Sequence, residues 1–168
     1  MRLSDHFDSV EFERHGAMPL EALPILTEFC ERVLEPIREK FGPLTITSGY
    51  RPPAANASTG GVPNSYHVYT ADKCAADIVP VRATPSLEVV FAWIRMDSGL
   101  PFDKAILERD KATGQDACIH LQYSRNPRRQ AFIGETHGTG GYTQVAVRQA
   151  PPSPAGQPTD FDDAIGGS

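Results

Sequence analysis

Cysteine is scarce in this chain. Three in 168 residues (Cys30, Cys74 and Cys118) are too few, and odd in number, for a disulfide framework, so apolar packing has to hold the fold. Long apolar runs are missing as well, and none is long enough to cross a bilayer. The first residues, Met-Arg-Leu-Ser-Asp-His-Phe, lack the apolar stretch of a secretory leader, so synthesis in the cytoplasm without a signal peptide is expected. Basic charge is in deficit, with 16 Lys and Arg against 21 Asp and Glu, and no basic stripe points to nucleic acid. The local cluster Arg125, Arg128 and Arg129 reads as a strand end or loop cap. Neither a membrane nor a nucleic acid is expected as a partner. A 40% hydrophobic content supplies enough apolar material for one compact domain. There is no internal repeat.

Residues 3–16 read as a lead-in with a short helical turn, docked by Phe7, Val10 and Phe12. His6 and His15 have no partner at metal-ligand spacing and read as surface histidines. From Leu20 to Phe41, apolar residues recur at three- and four-residue steps, which predicts an amphipathic helix. Pro24 fits its first turn, Pro36 should bend or shorten it, and Gly42-Pro43 should stop it. Leu44–Thr47 alternates as a strand. Asn56 to Asn64, rich in small residues, Gly and Pro, reads as irregular loop. A strand is expected over Ala75–Val81. A helix should follow, capped by Thr84 with Pro85 at its first position and buried through Leu87, Val90, Phe91 and Ile94. Three strands are then predicted, Lys104–Glu108, Ala117–Tyr123 and Arg129–Ile133. The domain is expected over residues 1–147. Residues 148–168, with Pro151-Pro152-Ser153-Pro154, read as a disordered tail.

The chemistry concentrates between Ser65 and Ile78. That stretch holds His67, Asp72, Cys74 and Asp77, and Asp77 sits in Ala-Ala-Asp-Ile, an apolar setting that demands a partner for its charge. A metal shared with His67 is one such partner. Farther on, Ile119-His120-Leu121 places a histidine inside an apolar strand. Period-2 alternation puts Ile119 and Leu121 on one face, and Cys118, His120 and Gln122 on the other. If Ile106 pairs with His120 in an antiparallel hairpin, Glu108 falls opposite Cys118 on the same face as His120, placed to act as a general base. Two histidines and one carboxylate leave a tetrahedral position open, the arrangement of catalytic zinc.

These motifs resemble the zinc D-Ala-D-Ala carboxypeptidase family. The resemblance runs through Ser48-Gly49-Tyr50-Arg51, Asn56, Gly60-Gly61, Asn64-Ser65-x-His67, Ala75-Ala76-Asp77-Ile78, Phe102-Asp103-Lys104-Ala105-Ile106-x-Glu108 and Ile119-His120, over roughly residues 3–134. It implies a small α+β domain of hedgehog/DD-peptidase type, with a central antiparallel sheet and flanking helices. It implies one Zn2+ held by His67, Asp77 and His120, with Glu108 and Arg51 as catalytic residues and Arg51, Asn56 and Ser65 against substrate. The implied activity is hydrolysis of peptide bonds in peptidoglycan stem peptides or cross-links, as a DD-carboxypeptidase or an endopeptidase of the kind found in phage lysins. The protein is expected to work as a monomer on the cell wall, after release or as part of a phage particle.

Two departures keep alternatives open. The family spacing puts the acid seven residues after the first histidine, whereas Cys74 stands there and Asp77 comes ten after. An insertion around Ala71-Asp72-Lys73 accounts for this, with Cys74 and Asp72 as rival ligands and a Cys74–Cys118 disulfide as a further option. Many relatives also carry a glutamate three residues before the last histidine, where this chain has Ala117. Asp116 is therefore the alternative to Glu108. A non-catalytic peptidoglycan-binding or phage structural module on the same fold is the competing functional reading.

Overall fold

The apolar steps from Leu20 onward do wind into helix, and Pro36 decides its shape. In the structure, a computed structural model that describes residues 1–135 and 141–149, a 3-10 turn at Leu20–Ala22 leads into α1 (Leu23–Phe29), with Pro24 in its first turn. A π turn follows at Cys30–Leu34, then α2 (Glu35–Phe41). Proline brings no N–H and its ring crowds the carbonyl four residues back. The π turn makes room: the Glu35 N–H reaches Cys30 O, five residues back, where Pro36 enters. The helix therefore continues past Pro36, and Gly42 ends it at φ 87°. Ile25, Leu26, Phe29, Val33, Leu34 and Ile37 are fully buried along its inner face.

Six strands form one sheet in the order β1-β2-β4-β3-β5-β6. They are β1 (Leu44–Ser48), β2 (Lys73–Pro80), β3 (Lys104–Arg109), β4 (Asp116–Ser124), β5 (Gln130–Glu135) and β6 (Tyr142–Val145). The α+β class holds, but the sheet is mixed, because β3 and β5 pair in parallel while every other neighbouring pair is antiparallel. The reason is local. Arg129 N–H donates to Phe102 O and Gln130 N–H to Asp103 O, so the chain leaving β4 is caught at the start of β3 and must run alongside it. Arg129 takes a positive φ of 51° to make that turn.

One face of the sheet carries Cys74, Ala76, Ile78, Ala105, Leu107, Ile119, Leu121 and Tyr123 into the core with α1, the π turn and α4 (Leu87–Met96). Phe29 stacks on Tyr123 with ring centroids 5.6 Å apart. The loops from Gly49 to Thr70 lie over part of the other face, where the site forms.

Three sequence expectations are corrected, and one strand is added. Phe7 and Phe12 dock the lead-in, but Val10 is 69% exposed because the 3-10 turn Ser9–Phe12 points it outward. The segment Asn56 to Asn64, expected to be irregular, starts inside a helix: Pro52 and Pro53 open α3 (Pro53–Ser58), which Gly60 closes. Helix α4 starts at Leu87 behind an extended Ser86 rather than at Thr84, since Val90 N–H is satisfied by Ser86 O. Strand β6 was not foreseen, since Tyr142, Thr143 and Gln144 are all exposed and leave no apolar alternation to read. The expected tail lies, from residue 150 on, outside the described residues. Before it, Arg148 N–H bonds Arg95 O at 3.0 Å, and Arg148 Nη1 meets Asp97 at 3.2 Å.

Candidate active site

Strand register brings the site together. Asp77 on β2 is the direct partner of His120 on β4, and Ile106 on β3 flanks His120 from the other side. A register shift in β1 between Ile46 and Ser48 sets Ser48 beside Asp77. His67 arrives from the loop between α3 and β2, held by its carbonyl, which accepts from Arg51 N–H at 2.8 Å, and by its N–H, which donates to Ser65 Oγ at 3.2 Å. Its ring is oriented by Gly49. The Gly49 carbonyl can only accept, so His67 Nδ1 carries the proton of that 2.7 Å bond and Nε2 presents a lone pair. Glycine is required there because a Cβ would lie 2.5 Å from the Phe12 backbone.

The three donors meet closely. His67 Nε2 lies 3.2 Å from His120 Nδ1 and 3.3 Å from Asp77 Oδ1, and His120 Nδ1 lies 2.7 Å from the same oxygen. Zinc bonds of about 2.0–2.2 Å place tetrahedral ligand atoms roughly 3.3–3.5 Å apart. Two of the separations already match that edge, and the third needs to open by only about 0.6 Å, so the residues fit the ion. They form the one group of three metal-capable side chains that converges among the described residues. Gln122 lies on the outer side of His120, with its amide 3.1 Å from Nε2 and its buried Oε1 without a partner among the described residues. As placed, that amide donates to Nε2 and leaves the Nδ1 proton for Asp77; with an ion held, half a turn of the amide would let Oε1 accept from His120 Nε2–H and free the Nδ1 lone pair for the metal.

Asp77 is only 7% exposed. Burial alone would raise its pKa, but the hydrogen bond from His120 and the adjacent His67 imidazole outweigh it and hold the carboxyl well below the usual range. Its second oxygen accepts from Arg51 Nη2 at 3.1 Å, and Arg51 Nε donates to Ser48 Oγ at 2.9 Å. The guanidinium is thus fixed from behind. In front lies a trough of about 630 Å³, whose walls include Arg51, Ser65, Lys104, Glu108 and Tyr142. Glu108 sits opposite Cys118, whose Sγ is 3.8 Å from Oε2, and Tyr142 Oη donates to Oε1 at 3.2 Å. Arg128 also reaches the trough, but its charge is matched by the buried Asp103 at 2.6 Å.

The structure sorts the candidate residues. His67, Asp77, His120, Arg51, Ser65 and Glu108 gather at the trough. Asn56 does not line it: the side chain is buried behind the loop and donates to Val62 O at 2.9 Å, which shapes the wall at Gly60–Val62. Asp116 is drawn away from Glu108, because the bulge beside Glu108 leaves Ala117 without a partner and turns the Asp116 carboxylate to Arg109 at 3.1 Å. Cys74 faces the opposite side of the sheet, inside the core, with burial raising its thiol pKa well above the ordinary value. Asp72 is exposed in a turn. All three cysteines are free, and Cys74 and Cys118 lie on opposite faces. The extra residues between His67 and Asp77 form a turn, closed by Thr70 N–H on Lys73 O, and lengthen β2 at its start. Tyr142 escaped the sequence reading with its strand, and Gly49 carried no signal of its contact with Phe12.

Two histidines and a carboxylate converging beside an open trough, with a second carboxylate on the same face, form a group that could hold a metal ion next to a carboxylate. The chain belongs to the peptidase M15 family: the family model, Peptidase M15, matches residues 10–99. That family is zinc-dependent. The match includes Arg51, His67 and Asp77 and ends before Glu108 and His120, so for those two the placement rests on strand register. No curated protein matches the sequence.

Proposed function

We propose that this chain is a zinc metallopeptidase that hydrolyses peptide bonds in peptidoglycan stem peptides, with His67, Asp77 and His120 as the metal ligands and Glu108 as the general base. The observation that carries the reading is the convergence of three donor atoms, all within 3.3 Å of one another, at a trough that also holds Glu108. Zinc, when bound, supplies Lewis acidity that polarises a carbonyl and makes water nucleophilic near neutral pH. Glu108 takes the proton of the attacking water and hands it to the leaving amine nitrogen. Arg51, held by Ser48 and Asp77, stabilises the developing oxyanion from a position that needs no rearrangement. Lys104 and Arg51 give the trough a cationic lining suited to the carboxyl groups of a stem peptide. Digestion of purified peptidoglycan, with products identified by mass, tests the substrate: release of D-alanine marks a carboxypeptidase, and internal fragments mark an endopeptidase. His120→Ala is expected to lose metal and turnover together. Glu108→Gln is expected to keep metal and lose turnover. A peptidoglycan-binding protein that turns nothing over would refute the proposal and leave the binding module in its place.

A further inference from the structure

We propose that Tyr142 is a positioning residue for Glu108, and that Gly134 is the residue that lets it reach. The inference rests on the reading of Glu108 as the base. Glu108, Gly134 and Tyr142 are successive register partners across β3, β5 and β6. Neighbouring strands are about 4.8 Å apart, so Glu108 and Tyr142 start roughly 10 Å from each other with one strand between them. Any side chain on that middle strand would hold them apart. At Gly134 there is none. A Cβ there would lie 2.2 Å from Tyr142 Cδ1 and 2.8 Å from Cε1, so the ring lies down over the glycine. In that posture its hydroxyl meets Glu108 Oε1 at 3.2 Å.

The tie has a direction. Tyrosine has one O–H to donate, and an ionised carboxylate only accepts. Burial and then the neighbouring Glu108 push the Tyr142 phenol up to about 12, so it remains a donor throughout the neutral range. One carboxylate oxygen is pinned, and Oε2, whose hydrogen-bond partner among the described residues is the weak Cys118 thiol at 3.8 Å, is left to take a proton. A glutamate has three rotatable side-chain bonds. Fixing one oxygen selects the rotamer in which the other faces the trough, an effect on turnover rather than on substrate binding.

The test uses the zinc-loaded full chain and a synthetic stem pentapeptide ending in D-Ala-D-Ala, or purified peptidoglycan if the enzyme is an endopeptidase. Tyr142→Phe is expected to lower kcat roughly tenfold, the scale of one hydrogen bond to a charged group, with KM and zinc content unchanged. Gly134→Ala, which displaces the ring while Tyr142 remains, should reproduce that loss, and the double variant should be no worse than either single one. NMR of the tyrosine ring carbons supplies a readout independent of turnover: the Tyr142 titration should move back toward that of an ordinary phenol in Glu108→Gln. Wild-type kcat in Tyr142→Phe, or losses that multiply in the double variant, overturns the inference. Turnover that survives Glu108→Gln overturns the base assignment and this inference with it. A dead Glu108→Gln beside a fully active Tyr142→Phe overturns the role of Tyr142 alone.

Discussion

Replacing Asp103 by Asn should destabilise the protein by an amount that depends on pH in a defined way. Asp103 is 1% exposed at the start of β3 and accepts three hydrogen bonds from Arg128: from its backbone N–H at 3.1 Å, Nε at 2.9 Å and Nη2 at 2.6 Å. These bonds clamp the turn that sends β5 alongside β3. A hydrogen bond to a charged group contributes about 1.5–3 kcal/mol. The three are not additive, the Arg128 side chain is half exposed and therefore screened, and Asn keeps one acceptor oxygen, so a total loss of about 2 kcal/mol is expected. For a chain of this size that corresponds to roughly 4–8 °C in Tm. Burial alone would raise the Asp103 pKa, but the Arg128 hydrogen bonds overcome it and hold the folded-state value below the unfolded one. The carboxylate's stabilisation is therefore fully present above the unfolded pKa of about 3.9 and is lost as pH falls through the folded value. Urea unfolding followed by far-UV circular dichroism should show a constant gap between wild type and variant above about pH 5, closing progressively below about pH 4. A gap of the same size at pH 3 and pH 7, or a loss under about 0.5 kcal/mol at neutral pH, would refute the reasoning.

Three other outcomes are expected. Chelation should leave the far-UV spectrum intact, because His67, Asp77, His120 and Arg51 bond one another when no ion is held, yet it should lower the Tm: metal at a hundredfold excess over Kd adds about 2.7 kcal/mol, and collapse of the spectrum on chelation would contradict this. Gly49→Ala drives a Cβ to 2.5 Å from the Phe12 backbone and disturbs the carbonyl that orients His67, so unfolding measurements should show a loss of about 3 kcal/mol and titration calorimetry a weaker metal affinity. Cys74→Ser should cost about 1–3 kcal/mol as a hydroxyl buried in the core, while metal content by elemental analysis stays the same; loss of metal would return Cys74 to the ligand set.

How much of this was legible in the sequence varies with the reach of the interaction that decides it. The α1–α2 helix was readable because its apolar steps are local, and only the π turn at Pro36 was not, since it trades one backbone geometry for another at small cost. The side of β4 that carries His120 was readable because alternation along a strand is fixed by backbone geometry; the pairing of Ile106 with His120 was a supposition, which the register bears out together with the Glu108–Cys118 pairing that depends on it. Asp116 obeys the same alternation and was still misleading. A one-residue bulge at Ala117, with no marker in composition, hands its carboxylate to Arg109. Asn56 occurs in a motif that implies substrate contact, but its amide is spent on Val62 O.

The sequence alone determined the class of the fold, the candidate ligands His67, Asp77 and His120, and the face of β4 that carries the last of them. The face of β4 follows from periodicity, and Asp77 stands out because a carboxylate among alanines needs a partner, while the fold class and the preference for Asp77 over Asp72 and Cys74 are what the family resemblance implied. Tertiary structure alone decided which rival groups were out of reach, because Cys74 and Asp77 lie three residues apart on one strand and so point to opposite faces. It also decided that Glu108, Gly134 and Tyr142 form one row. That row joins three strands whose order in the sheet differs from their order in the chain, and strand order is set by where β5 is caught beside Asp103, not by anything within β6 itself.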